Sequence, residues 1–444
     1  SRIFSPYNSL SYDEYYHSMK CRENLLLFQS PKGTTDILPE EQPYWRFLET
    51  TVEEITEIFS YDRIDTPMFE DARLFVRGVG QITDIVEKET YTFEDRGGDA
   101  VTLRPEGTAP VCRAYLENGM HNLPQPVRLY YLCPVFRYER PQAGRYRQHH
   151  QFGVEVFGDG DSAVDAEVIE IGWRFLEKFG ISEKSLGLNS IGDSVCRPDY
   201  IKQLEIHYRP NIDNVCSDCR RRFDQNPLRL LDCKKPICAP IIKSAPRSTE
   251  YLCEDCRKHW DTLLIYLEQA GIPHEVDHTL VRGFDYYTRT VFEIKPPSNG
   301  SQSTMIGGGR YDGLIEQLGG KPTPGIGFGM GIERAILNLK AQQSNLPTKP
   351  FKKMIVAYLG PAGKSAAAKL ASELRLSGKR VVLAPDRGLK SQLRYGTSIS
   401  ATHAIIIGED EIKKSVLTVR DLEKGVQTEI GRHNLGEIFA HNEN

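Results

Sequence analysis

The sequence lacks several features that would place it in a specialised class of protein. No run of 18 apolar residues occurs among its 444 residues, so no membrane-spanning helix is expected. The N-terminus does not show the charged and then apolar profile of a signal peptide. Internal repeats and low-complexity tracts are also absent, which excludes repeat architectures. These absences favour a cytoplasmic protein built from ordinary globular domains.

The composition is that of a soluble globular protein, with 39 % hydrophobic and 26 % charged residues. A chain of this length is expected to form two or three domains. The net charge of −4 is unevenly distributed, because residues 349–444 carry 16 Lys and Arg against 10 Asp and Glu. A basic C-terminal part on an acidic body is expected if that part binds nucleic acid, although a solvated surface often shows an excess this small.

Periodicity divides the chain into two kinds of domain. An apolar stripe from Trp45 to Phe59 predicts a helix, and the strand that follows it stops at Pro67, which suits a sheet edge. The runs "VRLYYLCPVFRYE" and "HHQFGVEVFG" predict a long antiparallel hairpin. After the polar linker "KAQQSNLPTKPFKK", strands alternate with helices, which predicts a small α/β domain. The body before the linker is predicted to be α+β, with helices packed on antiparallel strands.

Three stretches carry unusual polar or glycine residues. The segment "LVRGFDYYTRTVFE", predicted as a strand, contains Arg282, Asp285, Tyr286 and Tyr287 where a buried strand would carry aliphatic residues. The hairpin loop holds several arginines, whose guanidinium groups suit phosphate oxygens, although a solvated basic loop has the same composition. The stretch "PGIGFGMGIERAIL" combines closely spaced glycines with an arginine at a helix start. No P-loop motif occurs, so a nucleotide would have to be bound in another way.

Together these stretches resemble one family. The helix and strand ending at Pro67, the hairpin with "FRYE" and the segment "GFGMGIER" are similar to the three signature motifs of class II aminoacyl-tRNA synthetases. "LVRGFDYY" and "GGGRYDGL" resemble the two segments peculiar to histidyl-tRNA synthetases, and "TLRPEGTAP" and "RYRQHHQFGVEVFG" also look like that family. The resemblance extends from "PKGTTDILPEE" to the C-terminus.

The resemblance implies a fold and a division into domains. An α+β catalytic domain with an antiparallel sheet of the class II synthetase type would occupy residues 29–345. A helical, cysteine-rich insertion would interrupt it at residues 197–262, and a C-terminal α/β anticodon-binding domain would follow at residues 349–444. Residues 1–28 would be an N-terminal extension, in which Met19 is a candidate start. The family also implies a homodimer whose interface includes the helix and strand up to Pro67.

The resemblance implies a reaction in which histidine and ATP give histidyl-adenylate and pyrophosphate, after which histidine moves to the 3′ end of histidine tRNA. Mg²⁺ would bridge phosphate oxygens. The implied catalytic residues are Arg137, Arg282 and Arg334. The implied ATP-binding residues are Arg137, Glu139, Arg145, His149, Arg282 and Arg334. The implied histidine-binding residues are Glu106, Thr108, Gln151, Glu155, Tyr286 and Tyr287.

One position departs from the family pattern. His149 stands where the family commonly has an aromatic residue that stacks on adenine. An imidazole can still stack, and its protonation would make nucleotide binding depend on pH near neutrality.

Six of the ten cysteines lie between Cys216 and Cys256. Two Cys-x-x-Cys pairs, Cys216 with Cys219 and Cys253 with Cys256, could form a closed tetrahedral structural Zn²⁺ site. Cys233 and Cys238 lie between the pairs and leave the ligand set open, and reduced thiols in a small helical domain are the alternative.

Two other functions are compatible with parts of the sequence. The regulatory subunit of ATP phosphoribosyltransferase resembles the synthetase catalytic domain, but it typically lacks the anticodon-binding domain and the ATP-binding arginines. A zinc-dependent nucleic-acid-binding protein without catalysis would explain the cysteines and the basic C-terminal part, but not the proposed histidine pocket.

Overall fold

The structure, a computed structural model, describes residues 28–79, 89–142, 144–296, 304–342 and 353–431. The chain divides into two units, residues 1–346 and 347–444. Apart from Phe28, the predicted N-terminal extension lies outside the described residues. Among the described residues, no helix combines the length and the apolar character needed to span a membrane.

The first unit is organised around a large sheet. Its strands within the described residues are β1 (Asp62–Arg63), β2 (Phe69–Asp71), β3 (Tyr91–Glu94), β4 (Ala100–Leu103), β5 (Val127–Phe136), β6 (Gln148–Phe157), β7 (Ser185–Ser190), β8 (Glu275–Val276), β9 (Thr288–Lys295), β10 (Ile306–Arg310) and β11 (Gly325–Gly331). The main sheet has the order β1-β5-β6-β11-β10-β9-β7-β8, and β2, β4 and β3 form a separate antiparallel sheet.

The main sheet is antiparallel except at its two ends. There β1 runs parallel to β5, and β8 runs parallel to β7. The predicted hairpin is confirmed, since β5 and β6 pair from Val127 opposite Phe157 to Phe136 opposite Gln148. The strand before Pro67 lies at the sheet edge as predicted, because β1 pairs with β5 alone.

Helices cover one face of the main sheet and leave part of the other face open. The α-helices that the structure describes in the first unit are α1 (Gln42–Ile58), α2 (Ala72–Val79), α3 (Thr108–Glu117), α4 (Ser162–Lys178), α5 (Arg197–Tyr208), α6 (Ser217–Phe223), α7 (Ala239–Lys243), α8 (Glu254–Gln269), α9 (Leu314–Gln317) and α10 (Ile332–Ala341). Residues of α1, α4, α8 and α10 form one core with the apolar side chains of β6 and β11.

Strand β11 shows how the sequence distinguishes the two faces of the sheet. Ile326, Phe328 and Met330 belong to the helix-covered core. The alternate positions are glycines, and they lie on the opposite face because side chains alternate along a strand. The glycine spacing that stands out in the sequence therefore leaves one face of β11 without side chains.

The segment at residues 280–287 differs from the predicted strand. It forms loops and turns, and β9 begins only at Thr288. Polar side chains of the insertion hold this segment: Arg229 donates to the Arg282 carbonyl at 3.0 Å, and Asn226 donates to the Asp285 carboxylate at 3.1 Å. These contacts replace the ladder hydrogen bonds that a strand would form.

The second unit has the predicted alternation of strands and helices. Its elements are β12 (Lys353–Tyr358), α11 (Gly360–Leu376), β13 (Arg380–Leu383), α12 (Leu389–Ser398), β14 (His403–Ile407), α13 (Glu409–Lys414), β15 (Val416–Asp421) and β16 (Gln427–Gly431). The sheet order is β13-β12-β14-β15-β16, in which β12 is parallel to both of its neighbours. The sequence analysis did not identify the short helix α13.

A buried ion pair joins α4 to the end of β10. Arg310 and Asp165 are both fully buried, and Arg310 Nε donates to Asp165 Oδ1 at 3.0 Å. Arg310 also donates through Nη1 to Asp312 Oδ1 at 3.0 Å. Removing one partner of such a pair leaves a buried charge without compensation.

We expect Asp165→Ala to lower the free energy of unfolding by about 3–5 kcal/mol, because Arg310 would lose its buried counter-ion. All three tryptophans lie in the first unit, so their fluorescence during urea unfolding reports on this unit. Lys178→Ala is the control, because Lys178 lies on the same helix as Asp165 and forms an exposed ion pair with Glu54 of α1. Its loss should lower the free energy of unfolding by less than about 1 kcal/mol. Equal costs for the two variants would contradict a stabilising role for the buried pair.

Candidate functional site

A cavity of about 700 Å³ lies over the glycine-lined face of the main sheet. Five predicted histidine-binding residues line it, namely Glu106, Thr108, Gln151, Tyr286 and Tyr287. The predicted ATP-binding residues line the same cavity, namely Arg137, Glu139, Arg145, His149, Arg282 and Arg334. Residues that are up to 228 positions apart in the sequence, Glu106 and Arg334, thus meet in one space.

Glu155 is the predicted site residue that does not line the cavity. It is fully buried on β6, where Oε1 accepts a hydrogen bond from Thr108 Oγ1 at 2.7 Å. Tyr131 donates to the same oxygen at 3.4 Å, and the Tyr311 hydroxyl donates to Oε2. Glu155 therefore lies beneath the cavity and reaches its wall through Thr108.

The carboxyl group of Glu155 is held close to neutrality. Burial raises its pKa to about 8, and the hydrogen bonds from Tyr311 and Thr108 act in the opposite direction. The nearby Glu106 carboxylate raises this pKa further. A buried carboxyl group with a raised pKa favours a partner that brings an N–H group or a positive charge.

Gly327 makes room for the Glu155 carboxylate. The two residues are paired across β6 and β11, and a Cβ atom on Gly327 would lie 2.0 Å from Glu155 Oε2. No side chain can occupy this position without displacing the carboxylate.

Glu106 is positioned by the start of α3. Its two carboxylate oxygens accept the backbone N–H groups of Thr108 and Ala109 at 2.8 and 2.7 Å. Burial raises the pKa of Glu106, and these backbone hydrogen bonds oppose that effect. The carboxylate is thus fixed at the cavity wall, where a positively charged ligand group would stabilise it.

Arg282 is held at the opposite side by β9 and β10. Its Nη1 atom pairs with Glu293 Oε1, and its Nε atom is buried without a hydrogen-bond partner among the described residues. A Cβ atom on Gly307 would lie 2.2 Å from Arg282 Nη2, so the guanidinium group occupies space that only glycine leaves free.

The remaining arginines approach the cavity from the hairpin and from α10. Arg137 Nε donates to the Pro105 carbonyl at 2.7 Å, and Arg334 Nε donates to the Gly144 carbonyl at 3.0 Å. Burial lowers the pKa of Arg334, and the guanidinium groups of Arg145 and Arg137 lower it further. Mutual repulsion of this kind is relieved by a bound anion, so the geometry suits a polyphosphate.

The surroundings of His149 lower the pKa of its ring, contrary to the expected titration near neutral pH. Burial lowers the pKa of His149 to about 3, and Arg137 and Arg334 contribute to this shift. The ring is therefore neutral between pH 5 and 8. This lowered pKa argues against the prediction that protonation of the ring influences nucleotide binding near neutrality, because burial and the surrounding arginines disfavour the imidazolium ion.

Comparison with known proteins agrees with this geometry. The family model for histidyl-tRNA synthetase matches residues 33–205 and 242–335, and the model for an anticodon binding domain matches residues 353–442. The chain belongs to the histidyl-tRNA synthetase family.

Individual relatives cover almost the whole chain. A histidine–tRNA ligase of Dehalococcoides mccartyi strain 195 is 54 % identical over 405 residues, which are 91 % of this chain and 97 % of the relative. A ligase of the same name from Caldanaerobacter subterraneus is 46 % identical over 406 residues, with the same shares. The crystal structure of the apo histidyl-tRNA synthetase of S. aureus is 36 % identical, with a TM-score of 0.79, and the match covers 93 % of this chain and 100 % of that one.

A further solved structure is relevant to the alternative function. It is described as an ATP phosphoribosyltransferase regulatory subunit/histidyl-tRNA synthetase from Bacillus halodurans, with 23 % identity and a TM-score of 0.62. The match covers 86 % of this chain and 99 % of that one. At this identity the likeness concerns the fold alone.

Among the residues of the site that were not predicted from the sequence are Tyr311 and Glu293. Tyr311 binds the Glu155 carboxylate, and Glu293 binds Arg282. Tyr311 lies in the quoted segment "GGGRYDGL", so the signal was present although no residue of that segment was selected. Glu293 ends the segment "LVRGFDYYTRTVFE", which also contains Arg282. An acidic residue in the same segment as an arginine was the available signal, because a buried arginine needs a counter-ion.

The structure corrects the predicted zinc ligand set. Cys216 and Cys219 cluster with Cys233 and Cys238, whereas Cys253 and Cys256 cluster with Asp193 and Cys196. The two Cys-x-x-Cys pairs thus belong to different clusters. The prediction that they share one site is wrong, because Cys253 and Cys256 lie at the start of α8, beside the loop through which the chain enters the insertion.

We predict that the ring of His149 does not titrate between pH 5.5 and 8, because its pKa lies near 3. NMR spectra of protein labelled at its histidine rings measure this directly, and the His149 signal is identified by its loss in His149→Phe. A chemical-shift step near pH 6.5 in that signal would contradict the neutral state. The ratio of the ATP KM of the wild type to that of His149→Phe should likewise stay constant over this pH range.

Proposed function

We propose that the protein is a histidine–tRNA ligase that activates L-histidine with ATP and then transfers histidine to the 3′ end of histidine tRNA. The observation that carries this function is one cavity that joins two recognition sites. A buried carboxyl network, Glu155 with Thr108 and Tyr311, lies beneath one part. Three arginines, Arg137, Arg282 and Arg334, surround the other.

The arginines suit the chemistry of the activation step. The histidine carboxylate attacks the α-phosphorus of ATP, a carboxyl oxygen–phosphorus bond forms, and the bond to the β-phosphate oxygen breaks to release pyrophosphate. Negative charge accumulates on the α-phosphate, so cations on both sides stabilise the transition state. We assign Arg137 to the hairpin side and Arg282 to the other side of this phosphate, and Arg334 to the γ-phosphate. Arg145 and Glu139, whose Nη1 and Oε2 atoms lie 3.1 Å apart, would hold the nucleotide at the hairpin, with His149 against the adenine.

The carboxyl groups suit histidine as the amino acid. We assign Glu155 and Tyr287 to the two nitrogens of the imidazole, and Glu106, Thr108 and Gln151 to the α-amino group, with Tyr286 lining the pocket. Because burial raises the pKa of Glu155 to about 8, a hydrogen bond from an imidazole N–H group would stabilise the charged form of its carboxyl group. An apolar isostere would leave these buried groups unpaired, which supports selectivity.

Mg²⁺ fits the carboxylates of the cavity. Glu139 and Glu293 line it, and carboxylate oxygens are the ligands that this ion prefers. Bound with ATP, Mg²⁺ supplies positive charge at the phosphate oxygens. A structural zinc ion in the insertion would support folding and would take no part in this chemistry.

The other assignments concern partners. We propose that the second unit binds the anticodon stem-loop, which agrees with its match to an anticodon binding domain and with its basic composition. We also propose a homodimer, since Met68, Phe69 and Phe93, which follow Pro67 in the chain, are large apolar residues with exposed side chains. A role in translation would place the protein in the cytoplasm.

The alternative function as a regulatory subunit of ATP phosphoribosyltransferase has less support. All three predicted catalytic arginines are present at the cavity, and the chain includes the second unit. A non-catalytic nucleic-acid-binding protein would not need the buried carboxyl network or the arginines that surround one cavity.

The first test is pyrophosphate exchange into ATP, with each amino acid offered in turn. We expect exchange with histidine alone, reduced about 100- to 1,000-fold by Arg282→Ala because one charge that stabilises the transition state is lost. Arg174→Ala is the control, since it removes a half-exposed arginine on the covered side of the sheet. Folded wild-type protein without histidine-dependent exchange would exclude the ligase and favour the regulatory subunit.

A second variant tests the geometry without altering a charged residue. Gly307→Ala should reduce exchange about 100-fold, because its methyl group displaces the Arg282 guanidinium by roughly an ångström. Gly313→Ala is the matched control, because its Cβ atom would meet only Gln317 Nε2, at 3.8 Å. Unchanged exchange in Gly307→Ala would show that Arg282 does not act from this position.

A further inference from the structure

Four cysteines of the insertion form a compact sulfur cluster. Cys216 Sγ lies 3.8 Å from Cys233 Sγ, and Cys219 Sγ lies 3.8 Å from Cys238 Sγ. All four sulfur atoms lie within 4.8 Å of one another. The cluster belongs to residues 206–241, which the histidyl-tRNA synthetase family model does not match. It is therefore a feature of this chain that the catalytic function does not account for.

We propose that Cys216, Cys219, Cys233 and Cys238 bind one structural Zn²⁺ ion as thiolates. Zinc–sulfur bonds of about 2.3 Å in a tetrahedron place the sulfur atoms about 3.8 Å apart, which agrees with the Cys216–Cys233 and Cys219–Cys238 separations. All four positions of the ion are filled by protein, so the site is closed and structural. An iron–sulfur cluster would require the sulfur atoms to lie farther apart.

The backbone around the cluster favours thiolates. The N–H group of Cys219 donates to Cys216 Sγ at 3.4 Å, and the N–H group of Cys216 donates to Cys238 Sγ at 3.3 Å. Hydrogen bonds to sulfur stabilise its charged form and orient the ligand. Binding releases the thiol protons, and the nearby ammonium group of Lys235 partly offsets the resulting negative charge.

The surrounding fold explains why a metal ion is useful here. Between α5 and α8 the described chain forms only short helices, among them α6, α7 and the 3₁₀ turns Pro227–Leu230 and Pro236–Cys238. A segment this short buries little apolar surface and gains stability from a cross-link. The four ligands would join the start of α6 to the residues before α7.

The second cluster, at the base of the insertion, has a different character. Its carboxylate, Asp193, already pairs with Arg289 at 3.3 Å and accepts the backbone N–H group of Val195 at 2.9 Å. We assign no ion to this cluster.

The test measures zinc in the full-length protein after dialysis into metal-free buffer without chelator. We expect the wild type to contain about one equivalent of zinc per chain more than the double variant Cys216→Ser/Cys233→Ser. The control Cys112→Ser removes a buried thiol outside both clusters and should retain the wild-type zinc content. Equal zinc content in wild type and the double variant would overturn the proposal, and so would iron in place of zinc.

A second measurement does not depend on whether the double variant folds. Wild-type protein with Co²⁺ in place of Zn²⁺ should show the intense visible absorption of a tetrahedral cobalt–thiolate centre. When its thiols are titrated with a mercurial, the metal ion should be released as four cysteines react. Disulfides at these cysteines in freshly purified protein, or four thiols that react without metal release, would contradict the zinc site.

Discussion

The site depends on the absence of side chains along one face of β10 and β11. Glu155 and Arg282 occupy volume that a Cβ atom at Gly327 or Gly307 would take, at 2.0 and 2.2 Å from their terminal atoms. The opposite face of β11 carries Ile326, Phe328 and Met330, which pack against helices and fix the strand. A rigid floor without side chains lets a buried carboxyl group and a guanidinium group lie under one ligand.

Charge balance is the second constraint on the cavity. Glu293 pairs with Arg282 and Lys295. Burial raises the pKa of Glu293, but these two cations outweigh that effect and lower it. The guanidinium group of Arg334 donates to the backbone carbonyls of Gly144 and Thr304, and the carboxylates of Glu139 and Glu333 oppose the lowering of its pKa. Arg334 is therefore held in position by neutral backbone groups, and a preorganised cation of this kind is what electrostatic catalysis requires.

Local sequence patterns predicted much of the fold. The features that they did not predict depend on residues that are neighbours only in space. The hairpin of β5 and β6 and the strands of the second unit follow from alternation and from turn residues, which are local. The zinc ligand set was predicted wrongly because two similar Cys-x-x-Cys pairs give no information about which other residues lie beside them. The lowered pKa of His149 also could not be read from its neighbours in sequence, because it arises mainly from burial and, in part, from Arg334, which is distant in the chain.

The insertion is coupled to the histidine pocket through the segment at residues 280–287. Three side chains that lie outside the main sheet bind this segment: Arg197 donates to the Tyr287 carbonyl at 2.7 Å, Arg229 to the Arg282 carbonyl and Asn226 to Asp285. Asn226 and Arg229 follow directly after α6, the helix whose first turn carries two of the clustered cysteines. A cross-link that orders α6 therefore restricts the residues that position Arg282, so the stability of the insertion and the geometry of the cavity are expected to change together.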